Sequence, residues 1–332
     1  MTTIKNVAKL AGVSTGTVSN VLSGNRPVSD DVRERVLAAI EELKYQPNLI
    51  ASSLVTGKSN TIGAVLSDFQ LGLGNLLAGM DVGAREEGFS MLTSRLGYNE
   101  DPVNHLQLLT NRRVDGIIWV VPETDQTRLW WETTQIKLDI PIVFAFSSPH
   151  LNQSSVRMDN FSGGYMATRH LIEHGCKKIG HIAGPKDSFE AKERKAGWEK
   201  ALKEKGIEAN MICECDWNET GVKEICMQMF AQWPDMDALF AVSDDHALTA
   251  INSFQENGIR VPEDMKVIGF DDIKFLDFAN PPLTSIRQDY FTMGLHAAKE
   301  MRRRIQYPDS EAKIEMIPTQ LIPRRSCGCT NR

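Results

Sequence analysis

The chain has 332 residues, two to three times the ~100–200 of a typical domain, so more than one folding unit is expected. Its 42% hydrophobic, 24% charged and 7% aromatic residues exclude disordered, fibrous and membrane classes, and no apolar run reaches the ~18 residues needed to cross a bilayer. The net charge of −6 is unevenly spread: residues 1–58 hold seven basic and five acidic groups (+2), the rest 30 and 38 (−8), so any nucleic-acid contact falls to the front segment.

Three short helices open the chain. Thr3, Ser14 and Ser29 are expected N-caps for helices over 4–10, 15–22 and 30–44, because each hydroxyl can accept from an orphan amide. Ile4, Val7, Ala8, Val18, Val21, Leu22, Val36, Ile40 and Leu43 recur at three- and four-residue steps, giving each helix one buried stripe. Gly12 suits a positive φ in the turn between the first two helices. With Val18, Val21 and Leu22 inward, Thr15, Gly16, Thr17 and Asn20 face outward. Thr17, Ser19, Asn25 and Ser29 are short polar groups of the kind that fix register on phosphates. Pro47 suits the first turn of a further short helix over 47–56, and residues 57–60 form a linker.

From Thr61 onward apolar runs (61–66, 114–121, 140–146, 178–183, 238–242 and 266–270) alternate with helical patterns, which predicts βαβ units and parallel sheets in two lobes. Segments 155–159 and 283–288 read as crossovers between lobes, with a returning helix over 290–306 and a third crossing near 314–322. The expected domains are a headpiece (1–46), a hinge helix and linker (47–60) and a core (61–332). Within the core, one lobe takes 61–158 and 289–310, and the other takes 159–288 and 311–332. The six cysteines lack the C-x2-C spacing of structural zinc, so no metal is expected and the Cys327-Gly328-Cys329 stretch reads as a solvated end. Gly72 and Gly74 lack the third glycine of a dinucleotide fingerprint, so no cofactor is expected. The first eleven residues lack an apolar signal segment, so the cytoplasm is the expected compartment.

The stretch KNVAKLAGVSTGTVSNVL (5–22) closely resembles the helix-turn-helix of the LacI/GalR repressor family, and YQPNLIASSL (45–54) resembles its hinge helix. Ala183-Gly184-Pro185, Ala196-Gly197-Trp198, Gly269-Phe270-Asp271-Asp272 and Pro281-Pro282-Leu283-Thr284 follow in the family's order, so the resemblance spans nearly the whole chain. It implies an all-α headpiece on a two-lobed, periplasmic-binding-protein-like α/β core and a repressor of a near-palindromic double-stranded operator. It also implies base reading by Thr15, Gly16 and Asn20 in the major groove. Asparagine pairs with adenine, whereas the arginine frequent at the Asn20 position in relatives prefers guanine. The resemblance further implies that Asn48, Ala51 and Leu54 enter the minor groove when two hinge helices of a homodimer pair, with Leu54 as the wedge. No heptad pattern follows the last strand, which favours a dimer over a tetramer.

For the sensor, the resemblance points to Arg194, Asp244 and Asp271, flanked by Trp217 and Tyr290. Guanidinium and carboxylates can bond vicinal hydroxyls, and an aromatic face can cover a sugar ring. Phe146 stands where some sugar-binding relatives carry a carboxylate. An uncharged sugar is the expected effector, since no cationic cluster or phosphate loop converges on these motifs. A corepressor, a phosphorylated sugar or a purine is the alternative, and the sequence does not fix whether the effector releases or tightens the DNA complex. A transport protein would need a signal segment. An enzyme would need a nucleophile–base constellation, and the seven histidines show no H-E-x-x-H spacing.

Overall fold

The computed structural model describes residues 2–23, 26–45, 57–67, 72–97, 100–134, 136, 138–146, 153–218 and 221–329. Residues 1–59 and 60–332 form two compact units. The first contains α1 (Ile4–Ala11), α2 (Thr15–Ser23) and α3 (Asp30–Glu42). Their stripes meet in a core of Val7, Ala8, Ala11, Val18, Val21, Val36 and Ala39. Val7, Val18 and Val36 are fully buried, and each such side chain contributes roughly 1.5–3 kcal/mol.

The turn that separates α1 from α2 depends on Gly12, whose φ of +66° closes α1 in the left-handed conformation. Ser14 caps α2 by accepting from the Thr17 amide at 3.1 Å. At α1 the cap works the other way, with Asn6 Oδ1 accepting from the Thr3 amide and hydroxyl. Ser29 holds the N-cap position of α3 without a side-chain cap bond, contrary to expectation. Leu22 is also a correction: it is 39% exposed, because Val18 and Val21 already fill the inward face of α2. The third helix stops at Glu42 rather than 44, since Lys44 takes a φ of +45°.

The second unit holds two six-stranded sheets. In chain order its elements are β1 (Thr61–Ser67), α4 (Leu73–Glu86), β2 (Ser90–Leu96), α5 (Pro102–Asn111), β3 (Gly116–Val120), α6 (Asp125–Thr133), β4 (Ile142–Ala145) and β5 (Ser154–Met158). There follow α7 (Asn160–Glu173), β6 (Ile179–Ala183), α8 (Phe189–Glu204), β7 (Ile212–Glu214), α9 (Val222–Gln232), β8 (Ala238–Ala241), α10 (Asp244–Glu256) and β9 (Lys266–Asp271). Last come β10 (Thr284–Arg287), α11 (Tyr290–Gln306), β11 (Ile314–Ile317) and β12 (Gln320–Ile322).

The first sheet runs β11-β5-β4-β3-β1-β2, and the second runs β12-β10-β9-β8-β6-β7. Every pairing is parallel except β10 with β12. Parallel strands covered by helices on both faces are predominantly apolar, as the wholly buried β3, β4 and β8 are; β6 is equally buried and holds one polar residue, His181. The expected crossover segments are themselves strands: β5 and β10 join the two sheets, and the chain changes lobe at their ends. The third crossing lies at Pro318-Thr319, not before 311, because Ile314–Ile317 pairs with β5 in the first lobe. Among the described residues no helix is long and apolar enough to cross a membrane.

Candidate functional site

In an open parallel sheet, ligands sit at the carboxyl ends of the strands. Asp271 ends β9, the Ala183-to-Ser188 loop follows β6, Val242 and Ser243 follow β8, Gln288 follows β10 and Asn160 follows β5. Arg194 projects from α8 into the centre of this group and is only 4% exposed. Its Nε donates to Asn160 Oδ1 at 2.8 Å, one terminal nitrogen donates to the Val242 carbonyl at 2.6 Å, and the other lies 3.6 Å from Asp271 Oδ1. The guanidinium stacks 3.8 Å over the Phe270 ring and 5.6 Å from the Trp217 ring.

Asp271 accepts from Gln288 Nε2 at 2.5 Å, and that amide also donates to the Tyr290 hydroxyl at 2.7 Å. Burial lifts Asp271 to a pKa of about 6, only partly offset by Arg194 and Gln288. The backbone here is strained: Asp271 has a φ of +115°, Asp272 of +54° and Phe146 of +74°. Such residues cost of order 1–3 kcal/mol each and cluster at binding sites. The Phe146 ring lies 5.9 Å from that of Tyr290, and both are buried in the same core cluster. Gly72 allows this packing, because a Cβ there would fall 2.2 Å from the Tyr290 ring and its φ is +71°.

The structure therefore gathers Arg194, Asp271, Tyr290 and Trp217. Trp217 is 42% exposed rather than a core residue. Asp244 is different: it is fully buried, with Oδ1 accepting from Ser285 at 2.6 Å and Oδ2 from the Ile273 amide at 2.9 Å. Burial first, then the neighbouring Asp271, raises its pKa well above the ordinary carboxylate value. It braces the turn after β9 instead of facing the cleft.

Sequence reasoning missed Asn160, Gln288 and Glu190. Glu190 stands one helical turn before Arg194 on α8, a spacing that places both on one face. Its Oε2 accepts from Ser188 at 3.1 Å, while its buried Oε1 has no hydrogen-bond partner among the described residues. Burial raises its pKa to about 7. His246 bridges Ser243 Oγ (2.7 Å) and the Asp216 carbonyl (2.9 Å), so it fixes the loop carrying Trp217.

Around the cleft the lobes touch. Thr124 bridges to Ser188, the Phe189 amide donates to the Glu123 carbonyl at 3.0 Å, and Lys192 pairs with Asp125 at 2.8 Å. A depression of about 220 Å³ lies elsewhere, between α7 and α8. Its Tyr165, Arg169, Glu204 and Lys205 walls include no strand-end residue, so it is not the ligand cleft. The Cys327-Gly328-Cys329 stretch is not a solvated end, since Cys327 is fully buried and Cys329 half-buried.

On the headpiece, Thr15, Gly16 and Ser19 are exposed and Asn20 is half-buried on the outer side of α2. A Cβ at Gly16 would meet only Ser14 Oγ at 3.6 Å, so the fold does not require glycine there. The Thr17 hydroxyl lies 2.9 Å from that of Ser14, which occupies part of its bonding capacity. Asn25, Asn48, Ala51 and Leu54 lie outside the described residues.

Residues 3–48 match the model for bacterial regulatory proteins of the lacI family, and residues 168–327 match that of a periplasmic binding protein-like domain. The chain is 35% identical over 334 residues to the HTH-type transcriptional repressor PurR of Haemophilus influenzae strain PittEE, covering 98% of both chains. Among solved structures it resembles a lac repressor dimer bound to operator and the anti-inducer ONPF (29% identity, TM-score 0.81, 98% and 99% of the two chains). It also resembles a complex of the transcriptional regulator CelR with cellobiose (31%, 0.71, 98% and 100%). A helix-turn-helix unit followed by two parallel-sheet lobes, matched at this identity from end to end, makes the chain a member of the LacI family of transcriptional repressors.

Proposed function

We propose that the protein acts in the cytoplasm as a homodimer on a near-palindromic operator, and that an uncharged sugar held between its lobes sets operator affinity. The observation that carries the effector reading is the charge of the cleft. One guanidinium, Arg194, already paired with Asp271, stands beside the second buried acid Glu190. A phosphorylated ligand would meet two carboxylates and one neutralised cation, a poor match. A polyol suits the same groups: Arg194, Asn160 and Gln288 donate, Asp271 and Glu190 Oε1 accept, and Trp217 covers an apolar ring face. The helix N-termini at the cleft are capped from within by Asp159, Ser188, Ser243 and Asp289, so they are not open anion sites. The relative solved with cellobiose supports the same ligand class.

For DNA, Thr15, Gly16 and Asn20 are proposed to read bases. Thr17, Ser19, Asn25 and Ser29 are proposed to hold phosphates, and Asn48, Ala51 and Leu54 to form the minor-groove hinge. The effector acts by linkage: it favours one lobe arrangement, and that arrangement favours or disfavours paired hinges. The test is selection of bound duplexes from a random pool, followed by calorimetric titration with neutral sugars, sugar phosphates and purines. The expected result is a palindromic motif and saturable binding of a neutral sugar that changes operator affinity. Binding restricted to phosphorylated sugars or purines would overturn the effector reading.

A further inference from the structure

His170 in the last turn of α7 and His174 at its C-cap are four residues apart, which brings their rings together with centroids 4.1 Å apart. After β12 the chain forms a tight turn over Arg325–Cys327, and Gly328 at a φ of +88° reverses it. The two flanking sulfurs come back against the histidine face. Cys329 Sγ lies 3.3 Å from His174 Nε2 and 3.6 Å from His170 Nε2. Cys327 Sγ lies 3.2 Å from His170 Nε2 and 3.3 Å from Cys329 Sγ. Donor atoms of His170, His174 and Cys329 all fall within 4.8 Å of one another, and Cys327 adjoins two of them as a fourth.

These separations have a coordination scale. Tetrahedral zinc with Zn–S near 2.3 Å and Zn–N of 2.0–2.1 Å sets neighbouring ligand atoms roughly 3.3–3.8 Å apart. The histidine–sulfur contacts of 3.2, 3.3 and 3.6 Å lie about the roughly 3.5 Å of a zinc-bound N–S pair. The sulfurs, at 3.3 Å, stand closer than the roughly 3.8 Å of a zinc-bound pair and well beyond the ~2.05 Å of a disulfide, so a metal would spread them slightly. The ring orientation fits as well. His174 Nδ1–H donates to the His170 carbonyl at 2.9 Å, which leaves Nε2 to turn its lone pair towards Cys329. A backbone acceptor behind the ligating imidazole is the usual outer arrangement of a metal-bound histidine. On the other side, the Thr284 hydroxyl donates to Cys327 Sγ at 3.0 Å and so favours a thiolate.

We propose that His170, His174, Cys327 and Cys329 form a two-cysteine, two-histidine zinc site that clamps the segment after β12 to α7. The clamp bears on the effector cleft: Arg324, three residues before Cys327, pairs with Asp272 at 2.8 Å and Asp277 at 2.7 Å, and Asp272 adjoins Asp271. The site thus anchors the strand end that holds the turn of the ligand-binding carboxylate.

The test uses the full-length, reduced protein, stripped with a chelator and titrated with Co2+. One ion per chain is expected, with the thiolate-to-cobalt charge-transfer absorption and strong visible bands of a tetrahedral S2N2 complex, displaced by Zn2+. Zinc should raise the melting temperature of the core by about 5 °C or more when well above its Kd. Cys329→Ser and His174→Gln should each lower metal affinity at least about 10-fold, while circular dichroism and operator binding report that each variant is folded. Absence of cobalt absorption in folded protein with both thiols free would overturn the site. So would unaltered affinity in folded Cys329→Ser, or a Cys327–Cys329 disulfide that persists in glutathione buffer.

Discussion

Glu190 releases its proton near pH 7 in the folded core, against 4.5 in its ordinary state, because burial penalises its charge. The folded state therefore holds a proton that the unfolded chain gives up, and stability falls as pH rises from about 4.5 to about 7. The shift corresponds to about 3 kcal/mol. His181 slopes the other way: burial lowers it to about 4, so its contribution is present above 6.5 and lost as pH falls towards 4. Glu190→Gln isolates the first effect. Urea unfolding at pH 5 and pH 8 should show the variant gaining stability over the parent at pH 8 only, and a sugar that donates to Oε1 should bind it more weakly. Gly16 makes the residue-scale case for DNA. Gly16→Ala should leave the headpiece as stable or up to ~1 kcal/mol more stable, since alanine favours helix, while altering the selected operator. Asn20→Arg should move one half-site position from adenine towards guanine in the same selection. The outward placing of Thr15 and Gly16 on α2 was legible because helical spacing is local. Asn160 and Gln288 were not, because their roles arise only when three strand ends meet.

At the scale of elements, α2 owes its start to Ser14 and its inward face to Val18 and Val21, all visible as spacing in the chain. The buried strands were equally visible as apolar runs. β2 was not, because it is an edge strand whose Ser90, Thr93, Ser94 and Arg95 break any run. β5 and β10 hid for a related reason, their serines and threonines being buried by partners distant in sequence, as when Ser285 bonds Asp244. The start of α4 depends on packing against α11. Gly72→Ala would force a side chain into the Tyr290 ring and a left-handed φ, at a backbone cost of about 1–2 kcal/mol. Effector affinity should fall at least about 10-fold as Tyr290 leaves Gln288 and Asp271, with nonspecific DNA binding by the headpiece unchanged. Calorimetry and duplex titration would check the two halves of that expectation.

For the whole molecule, the contact between lobes offers a direct handle on linkage. Thr124 and Ser188 face each other across the cleft mouth as a bridged antiparallel pair, whose spacing suits a disulfide. With Thr124→Cys and Ser188→Cys oxidised, operator affinity should match that of the effector-saturated parent and stop responding to the effector. Reduction should restore the response, and an operator affinity indifferent to oxidation would refute coupling through lobe closure. At the hinge, Leu54→Ala should weaken specific operator binding far more than nonspecific binding, as salt-matched titrations on both duplexes would show.

The sequence alone determined the helix-turn-helix, the alternation of strands and helices, the number of lobe crossings and the family, because each is written in local spacing or in motifs read in order. Tertiary structure decided where the chain crosses last, that Asp244 braces a turn while Glu190 is buried beside Arg194, and that Cys327 and Cys329 meet His170 and His174. Those outcomes rest on burial and on pairs as far as 159 residues apart, and neither leaves a periodic mark in the chain.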